Sequence, residues 1–263
     1  MLSLLQTAER TTSAVAVSNY VYQRHAFAYI SAIGHLGDNV LELGCGSGYG
    51  MQMLAPSCSW YIGLDKYIPN NRRASLRTAF FKARLPDLHN IGDSTFDTVI
   101  CFQVIEHVKE DRRLLEEAYR VLKPGGRLLL TTPNRLMSLT RNPFHIREYT
   151  PDSIYRLIGS CFADFDIQGI YGKKIVREYY EDNKRSVENI VRWDIFDLQH
   201  RLPAALLKIP YNILNNINRT LLSNTTPDRS ARISHEDFYT GALHGHCLDF
   251  FVIAEKNRLD PAA

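Results

Sequence analysis

The sequence predicts an α/β domain built on a mainly parallel sheet, and three observations carry that expectation. Apolar runs of strand length alternate along the chain with segments of helical periodicity, the order that βα units produce. The clearest run, "FDTVICFQ" (96–103), is nearly continuous in apolar character, as a strand is when both faces are covered. Glycines and polar residues gather where such runs end: Glu42 to Gly50, Asp65, Gln103 to His107 and Thr132 to Asn134. In open sheets ligands sit outside the carboxyl ends of the strands, so this convergence predicts a site.

Each element follows from its own signals. Residues 19–34 read as a helix ending at Gly34, ahead of the main fold. "NVLELG" (39–44) is a short apolar strand running into glycines, and "WYIGLD" (60–65) a second strand ending in an acid. After the strand at 96–103, "EDRRLLEEAYRVL" (110–122) is an amphipathic helix with Leu114, Leu115, Ala118 and Leu122 inward. The run "KPGG" reads as its stop signal. "RLLLTTP" (127–133) is the next strand, and Thr150 caps a helix over 150–159 with Pro151 in its first turn. "FADFDIQGIYG" (162–172) and "CLDFFVIAEK" (247–256) supply the last two expected strands.

A chain of 263 residues can bury a sizeable core, and the expectation is one domain over 1–263. Within it, 1–35 forms an N-terminal helical segment and 173–232 a helical insertion or cap before the last strand. Hydrophobic content of 45% and charged content of 22% are ordinary for a globular protein, and a net charge of +3 announces no nucleic-acid partner. Cys45, Cys58, Cys101, Cys161 and Cys247 are scattered without CxxC spacing, which suits reduced thiols rather than a disulfide framework or a zinc site. Glu9 and Arg10 interrupt the N-terminus before a signal-length apolar run develops, and no window has the length of a membrane span. The expected location is the cytoplasm.

"ELGCGSGYG" places Gly44, Gly46, Gly48 and Gly50 directly after a strand, where the backbone can turn tightly and a ligand can approach without a β-carbon in the way. The pattern is GxGxG, not the dinucleotide GxGxxG, and alone it could be a structural turn. Asp65, at the next strand end, stands where a carboxylate would accept hydrogen bonds from ribose hydroxyls. The ordered series "VLELGCGSGYG", "GLD", "LPDLHNIGDSTFDTVICFQVIEHV" and "EEAYRVLKPGGRLLLTTPN" resembles the successive motifs of class I S-adenosylmethionine-dependent methyltransferases over about residues 36–160. The resemblance implies a Rossmann-like, seven-stranded sheet with an antiparallel last strand and helices on both faces. It also implies S-adenosyl-L-methionine as methyl donor, with Glu42, Gly44, Gly46 and Gly48 at its methionine end and Asp65 on its ribose. Cys45, Lys66 and Gln103 belong to the same expected cofactor set. Many relatives carry an acid where this chain has Phe81, so adenine is expected to meet apolar and backbone groups around Phe81 to Ala83.

Transfer to an alcohol or phenol needs a proton acceptor, and histidine has a suitable pKa. His107 lies at a strand end facing the expected cofactor edge, and His145 in the loop after "TTPN"; both are candidate bases, with Glu106 beside them. Gln103, Glu106 and His107 have the i, i+3, i+4 spacing of one helical face. The bland alternatives are that Glu106 hydrogen-bonds the following turn, that His107 is packed against a backbone carbonyl, and that His145 is a plain loop residue. Arg147 and Glu148 read as a solvated pair. "QVIEHV" followed by "FHIREYT" is similar to the ExxEH…H arrangement of small-RNA 2′-O-methyltransferases and ubiquinone-pathway O-methyltransferases, which can bind a divalent metal. Gln103 stands in place of the first glutamate, which weakens attraction for a hard cation, so no metal site is assigned.

Residues 173–232 hold eleven Lys/Arg and seven Asp/Glu, giving +4 against −1 for the remainder. Within them 200–222 spaces Leu202, Leu206, Ile209, Ile213, Ile217 and Leu221 at helical intervals, interrupted by Pro203 and Pro210 and bordered by Arg201, Lys208 and Arg219. Such a stripe can rest on a membrane surface, lid a pocket for a lipid-linked acceptor, or pack as an ordinary cap or dimer face. Arg72, Arg73, Arg77, Lys82 and Arg84 read as a solvated basic face. The expected activity is O-methylation of a small-molecule, sugar or lipid-linked hydroxyl. RNA 2′-O-methylation is the enzymatic alternative, disfavoured by Gln103 and the low basic charge. A non-catalytic binding module is the other, disfavoured by the intact glycine loop.

Overall fold

The computed structural model describes residues 19–67, 76–192, 203, 206–208, 211 and 227–258. The N-terminal run, Arg72, Arg73 and most of the 200–222 stripe lie outside the described residues. Two compact units emerge: residues 26–137, 147–171 and 240–263 form the larger, and residues 1–25, 138–146 and 172–239 the smaller.

Helix α1 (Asn19–Ala32) ends in a 3-10 turn at Ile33–His35. β1 (Asn39–Leu43) leads through the glycine loop into the short α2 (Tyr49–Leu54), then β2 (Trp60–Asp65) and β3 (Thr78–Lys82). β4 (Phe96–Phe102) is followed by a 3-10 turn at Ile105–His107, α3 (Asp111–Val121) and β5 (Leu122–Pro133). After α4 (Pro151–Gly159) come β6 (Asp164–Gly172), α5 (Lys174–Val191), α6 (Pro227–Arg232), β7 (Phe238–Ala242) and β8 (Asp249–Glu255).

The sheet order is β3-β2-β1-β4-β5-β8-β6-β7. Strands β3, β2, β1, β4 and β5 are parallel to one another, whereas β8 runs antiparallel to β5 and β6. The expected α/β sheet with an antiparallel last strand is therefore present, with an eighth strand, β7, at its edge. Strand order reverses between β1 and β4, so the loops leaving those two strands flank the switch point where ligands bind in open sheets.

Leu114, Leu115, Ala118 and Val121 of α3 and Ile154 and Ile158 of α4 are buried in one core with Leu41, Leu43, Val99, Cys101, Leu128, Leu130 and Val252 of the sheet. α4 begins as expected: Ser153 N–H donates to Thr150 Oγ1 at 3.3 Å, and Thr150 N–H donates to Ser153 Oγ at 2.7 Å. Leu122 is buried, but as the first residue of β5 and not the last of α3. The "KPGG" run stops the helix and also forms an irregularity in β5, whose pairing with β4 jumps from Phe96↔Leu122 to Thr98↔Arg127. Lys256, buried at the end of β8, donates to Leu122 O at 2.8 Å and so meets a carbonyl at the end of α3. β3 lacks a strong sequence signal because it is a short edge strand with Phe81 and Lys82 exposed. Among the described residues, no helix is long and apolar enough to cross a membrane.

Candidate active site

The glycine loop is braced on the end of β2. Gly44 and Cys45 N–H groups both donate to Leu64 O, at 2.7 and 2.9 Å, and Gly46 N–H donates to Asp65 Oδ2 at 2.9 Å. Asp65 Oδ1 accepts from Tyr67 N–H at 2.9 Å, so the carboxylate is oriented by backbone donors from both sides. Gly44 has φ +73°, and a β-carbon there would lie 2.4 Å from Val104 Cγ2. Only glycine lets the β1 loop approach the turn after β4 this closely. Gly46, at φ +53°, has nothing within 4 Å of where a β-carbon would stand, so the crest of the loop faces open space.

The rest of the expected cofactor set divides by exposure. Phe81 is 55% exposed on β3, in register with Leu64, and Ala83 N–H donates to Asp65 O at 2.9 Å. Phe81, Ala83 and Asp65 therefore stand together at the ends of two neighbouring strands. Lys66 is exposed, with its Nζ 5.6 Å from the Tyr67 ring centroid. Cys45 is buried, and its Sγ would lie 2.9 Å from a β-carbon on Gly63; burial first, then Glu42 and Asp65, pushes its thiol pKa up.

Glu42 departs from a simple surface contact. It is 1% exposed, and its oxygens accept from Tyr29 Oη at 2.5 Å and Tyr61 Oη at 2.8 Å. Burial raises its pKa to about 7; the two phenol hydrogen bonds work against that rise and Asp65 adds to it. The same burial raises both phenols well above their ordinary value. Sequence reading missed Tyr29 and Tyr61 because neither carries a motif, each being one aromatic among the apolar residues of its element.

On the neighbouring strand end, Gln103 has φ +56°, and its N–H donates to Thr131 O at 2.8 Å. Its Nε2 donates to Thr131 Oγ1 at 3.3 Å. Glu106 is buried and accepts from Thr132 Oγ1 at 2.9 Å. His107 is half-buried, its N–H donating to Val104 O at 2.9 Å. The helical face that the spacing suggested is not formed: the 3-10 turn spans only Ile105–His107, and Gln103 stands outside it in the left-handed region, while the turn carries the acid and the imidazole just past the carboxyl end of β4.

Arg147 is exposed, as expected, but its ionic partner is Asp111 and not Glu148. Its guanidinium pairs with Asp111, 8% exposed, and donates to Lys109 O at 2.7 Å. Tyr149 Oη donates to the same Asp111 at 2.9 Å, and Arg147 N–H reaches Glu106 O at 3.4 Å. Segment 147–149 is thus latched onto the loop that carries Glu106. His145 belongs to the smaller unit, where Asn142 Nδ2 lies 2.9 Å from its Nε2.

The residues present suit a cofactor carrying a ribose and an amino-acid end: an open glycine crest, an oriented carboxylate beside it, and an exposed aromatic at the next strand end. The family described as "Methyltransferase domain" matches residues 41–130. A Mycolicibacterium smegmatis protein named "Probable S-adenosylmethionine-dependent methyltransferase" is 35% identical over 176 residues, covering 63% of this chain and 67% of the relative. The thiol S-methyltransferase TMT1B of Rattus norvegicus is 32% identical, covering 40% of this chain and 48% of its own. The ubiquinone biosynthesis O-methyltransferase of Psychrobacter cryohalolentis is 25% identical, covering 62% of this chain and 76% of its own.

Proposed function

The chain belongs to the class I S-adenosylmethionine-dependent methyltransferases, and on that premise we propose that it methylates a hydroxyl oxygen of a small-molecule, sugar or lipid-linked acceptor. S-adenosylmethionine supplies an electrophilic methyl group on a sulfonium. The chain's part is to hold acceptor and donor in line and to take the acceptor's proton. In this reading the backbone of Gly44, Cys45, Gly46 and Gly48 cradles the methionine end, and Asp65 accepts from the ribose hydroxyls. Phe81 and Ala83 flank the adenine, and Lys66 and Gln103 border the bound donor. His107 accepts the proton as the acceptor oxygen attacks. Glu106, fixed by Thr132, stabilises the imidazolium that results.

The observation that supports the reading best is the close approach of Gly44 and Val104, which puts the glycine loop beside the Glu106–His107 turn at the switch point. Gln103, in place of a glutamate, is why the proposal includes no metal. The basic, apolar-striped segment 200–222 motivates a lipid-linked acceptor met at the cytoplasmic membrane surface. The test is methyl transfer from labelled S-adenosylmethionine to a panel of alcohols, phenols, glycans, polyprenyl-linked sugars, thiols, amines and RNA 3′ ends. Transfer to a hydroxyl that falls at least 100-fold in His107→Ala supports the reading. Transfer confined to thiols, amines or RNA ends, or an unchanged rate in that variant, sinks it.

A further inference from the structure

Glu42 is more deeply enclosed than a ligand-contacting acid needs to be. Its carboxylate lies between two phenols from different elements, Tyr29 on α1 and Tyr61 on β2, one on each oxygen. The Tyr29 ring meets Tyr49 of α2 at 5.3 Å and Phe102 of β4 at 5.0 Å between centroids, both edge-on. It also covers Gly50, where a β-carbon would fall 2.3 Å from the ring and 2.8 Å from Glu42 Oε1. The clamp therefore ties together the two ends of the glycine loop, β1 on one side and the first turn of α2 on the other.

We propose that Glu42 is a proton-holding positioning residue of the cofactor site: clamped by Tyr29 and Tyr61, it carries a proton in part of the free protein and gives it up when the cationic methyl donor binds over the glycine loop. This rests on the cofactor reading above. Among the described residues, the titratable groups acting on Glu42 or on its two phenols are Tyr29 from α1, Tyr49 from α2, Tyr61 and Asp65 from β2, Cys45 from the loop, Cys58 before β2 and Cys101 from β4, and none of these is a cation. Burial drives the acid toward its neutral form, to a pKa of about 7, and Asp65 adds to that. S-adenosylmethionine brings one net positive charge, its sulfonium, because its ammonium and carboxylate cancel. Placed beside a buried acid, that charge favours the carboxylate, and the proton leaves to solvent. S-adenosylhomocysteine lacks the sulfonium and binds with a smaller proton release. The acid then contributes charge to donor binding without touching the donor, and favours release of the neutral product after transfer.

Calorimetry of the whole chain with each ligand, in buffers of different ionisation enthalpy, counts the protons directly. The expected result at pH 7 is release of about half a proton per S-adenosylmethionine, the fraction held by a group with its pKa near 7, and distinctly less for S-adenosylhomocysteine. Donor Kd should be about five- to tenfold weaker at pH 6 than at pH 8, the dependence of a single linked proton. Glu42→Gln should flatten that profile, while Tyr29→Phe, which keeps the acid and removes one donor, should move its midpoint upward. Donor binding without proton release, or a release that persists in Glu42→Gln, overturns the proposal while leaving the cofactor reading intact. Failure of both ligands to bind removes that reading, and this inference with it. The wild-type measurements stand even if a variant does not fold.

Discussion

Gly44→Ala gives the most direct test of how the site is assembled. The perturbation has two separable parts. A side chain at φ +73° enters the left-handed region, which costs about 1–2 kcal/mol for an ordinary residue. The new β-carbon would also lie 2.4 Å from Val104 Cγ2 and 3.1 Å from Cγ1. Val104 is β-branched and stiff at χ1, so backbone must yield, and overpacking of this kind costs about 1–3 kcal/mol. The sum, roughly 2–5 kcal/mol, is set against a typical domain stability of about 5–15 kcal/mol. Urea unfolding of wild type, Gly44→Ala, Val104→Ala and the double variant measures the parts. Val104→Ala removes both clashing methyls, so the double variant should regain about 1–2 kcal/mol relative to additivity while the backbone cost remains. Donor affinity should follow the same order, because the displaced segment is the glycine loop. Additive single effects, within about 0.5 kcal/mol, would refute the claim that the glycine exists for this close approach.

Two further outcomes follow from the same unit-by-unit geometry. Asp65→Asn can accept from only one of Gly46 N–H and Tyr67 N–H, and it loses the charge proposed to meet the ribose; hydrogen bonds to charged groups contribute about 1.5–3 kcal/mol, so donor Kd should weaken about 10- to 100-fold and the melting temperature should fall with the lost loop contact. A Kd within twofold of wild type would place the ribose elsewhere. Stability against pH should carry two opposed slopes. His25 is half-buried, and desolvation first, then Arg24, lowers its pKa to about 3, below its ordinary 6.5. Its contribution is complete above pH 6.5 and is lost as pH falls toward 3, by at most about tenfold in the folding equilibrium per pH unit. Glu42 runs the other way: its contribution is complete below its ordinary 4.5 and is lost as pH rises through 7. Melting curves from pH 4.5 to 7 should therefore tilt upward with pH in Glu42→Gln and downward in His25→Asn, and parallel profiles in the two variants would contradict both assignments.

Much of this protein was legible in its sequence, and for a common reason. Apolar periodicity, the Thr150 cap and the glycine run are instructions about local conformation, read from residues a few positions apart. They gave β1, β2, β4, α3 and α4 nearly to the residue, and Asp65 as the oriented acid beside the glycine loop. The antiparallel last strand came from the resemblance of the motif series, since spacing alone assigns no direction to β8. β3 and β7 were missed because short edge strands need little apolar patterning.

What the tertiary structure decided is which distant group satisfies each buried polar one. Glu42 finds its phenols 13 and 19 residues away, on a helix and a strand that no local signal pairs with it. Asp111 is met by Arg147 and Tyr149 from a loop 36 and 38 residues further on, which makes an exposed arginine one half of a latch. Buried charge and hydrogen-bonding capacity must be matched somewhere in the fold. The sequence states that need at Glu42, Asp111 and Glu106, but only packing selects the partner, and with it the protonation of the acid beneath the glycine loop.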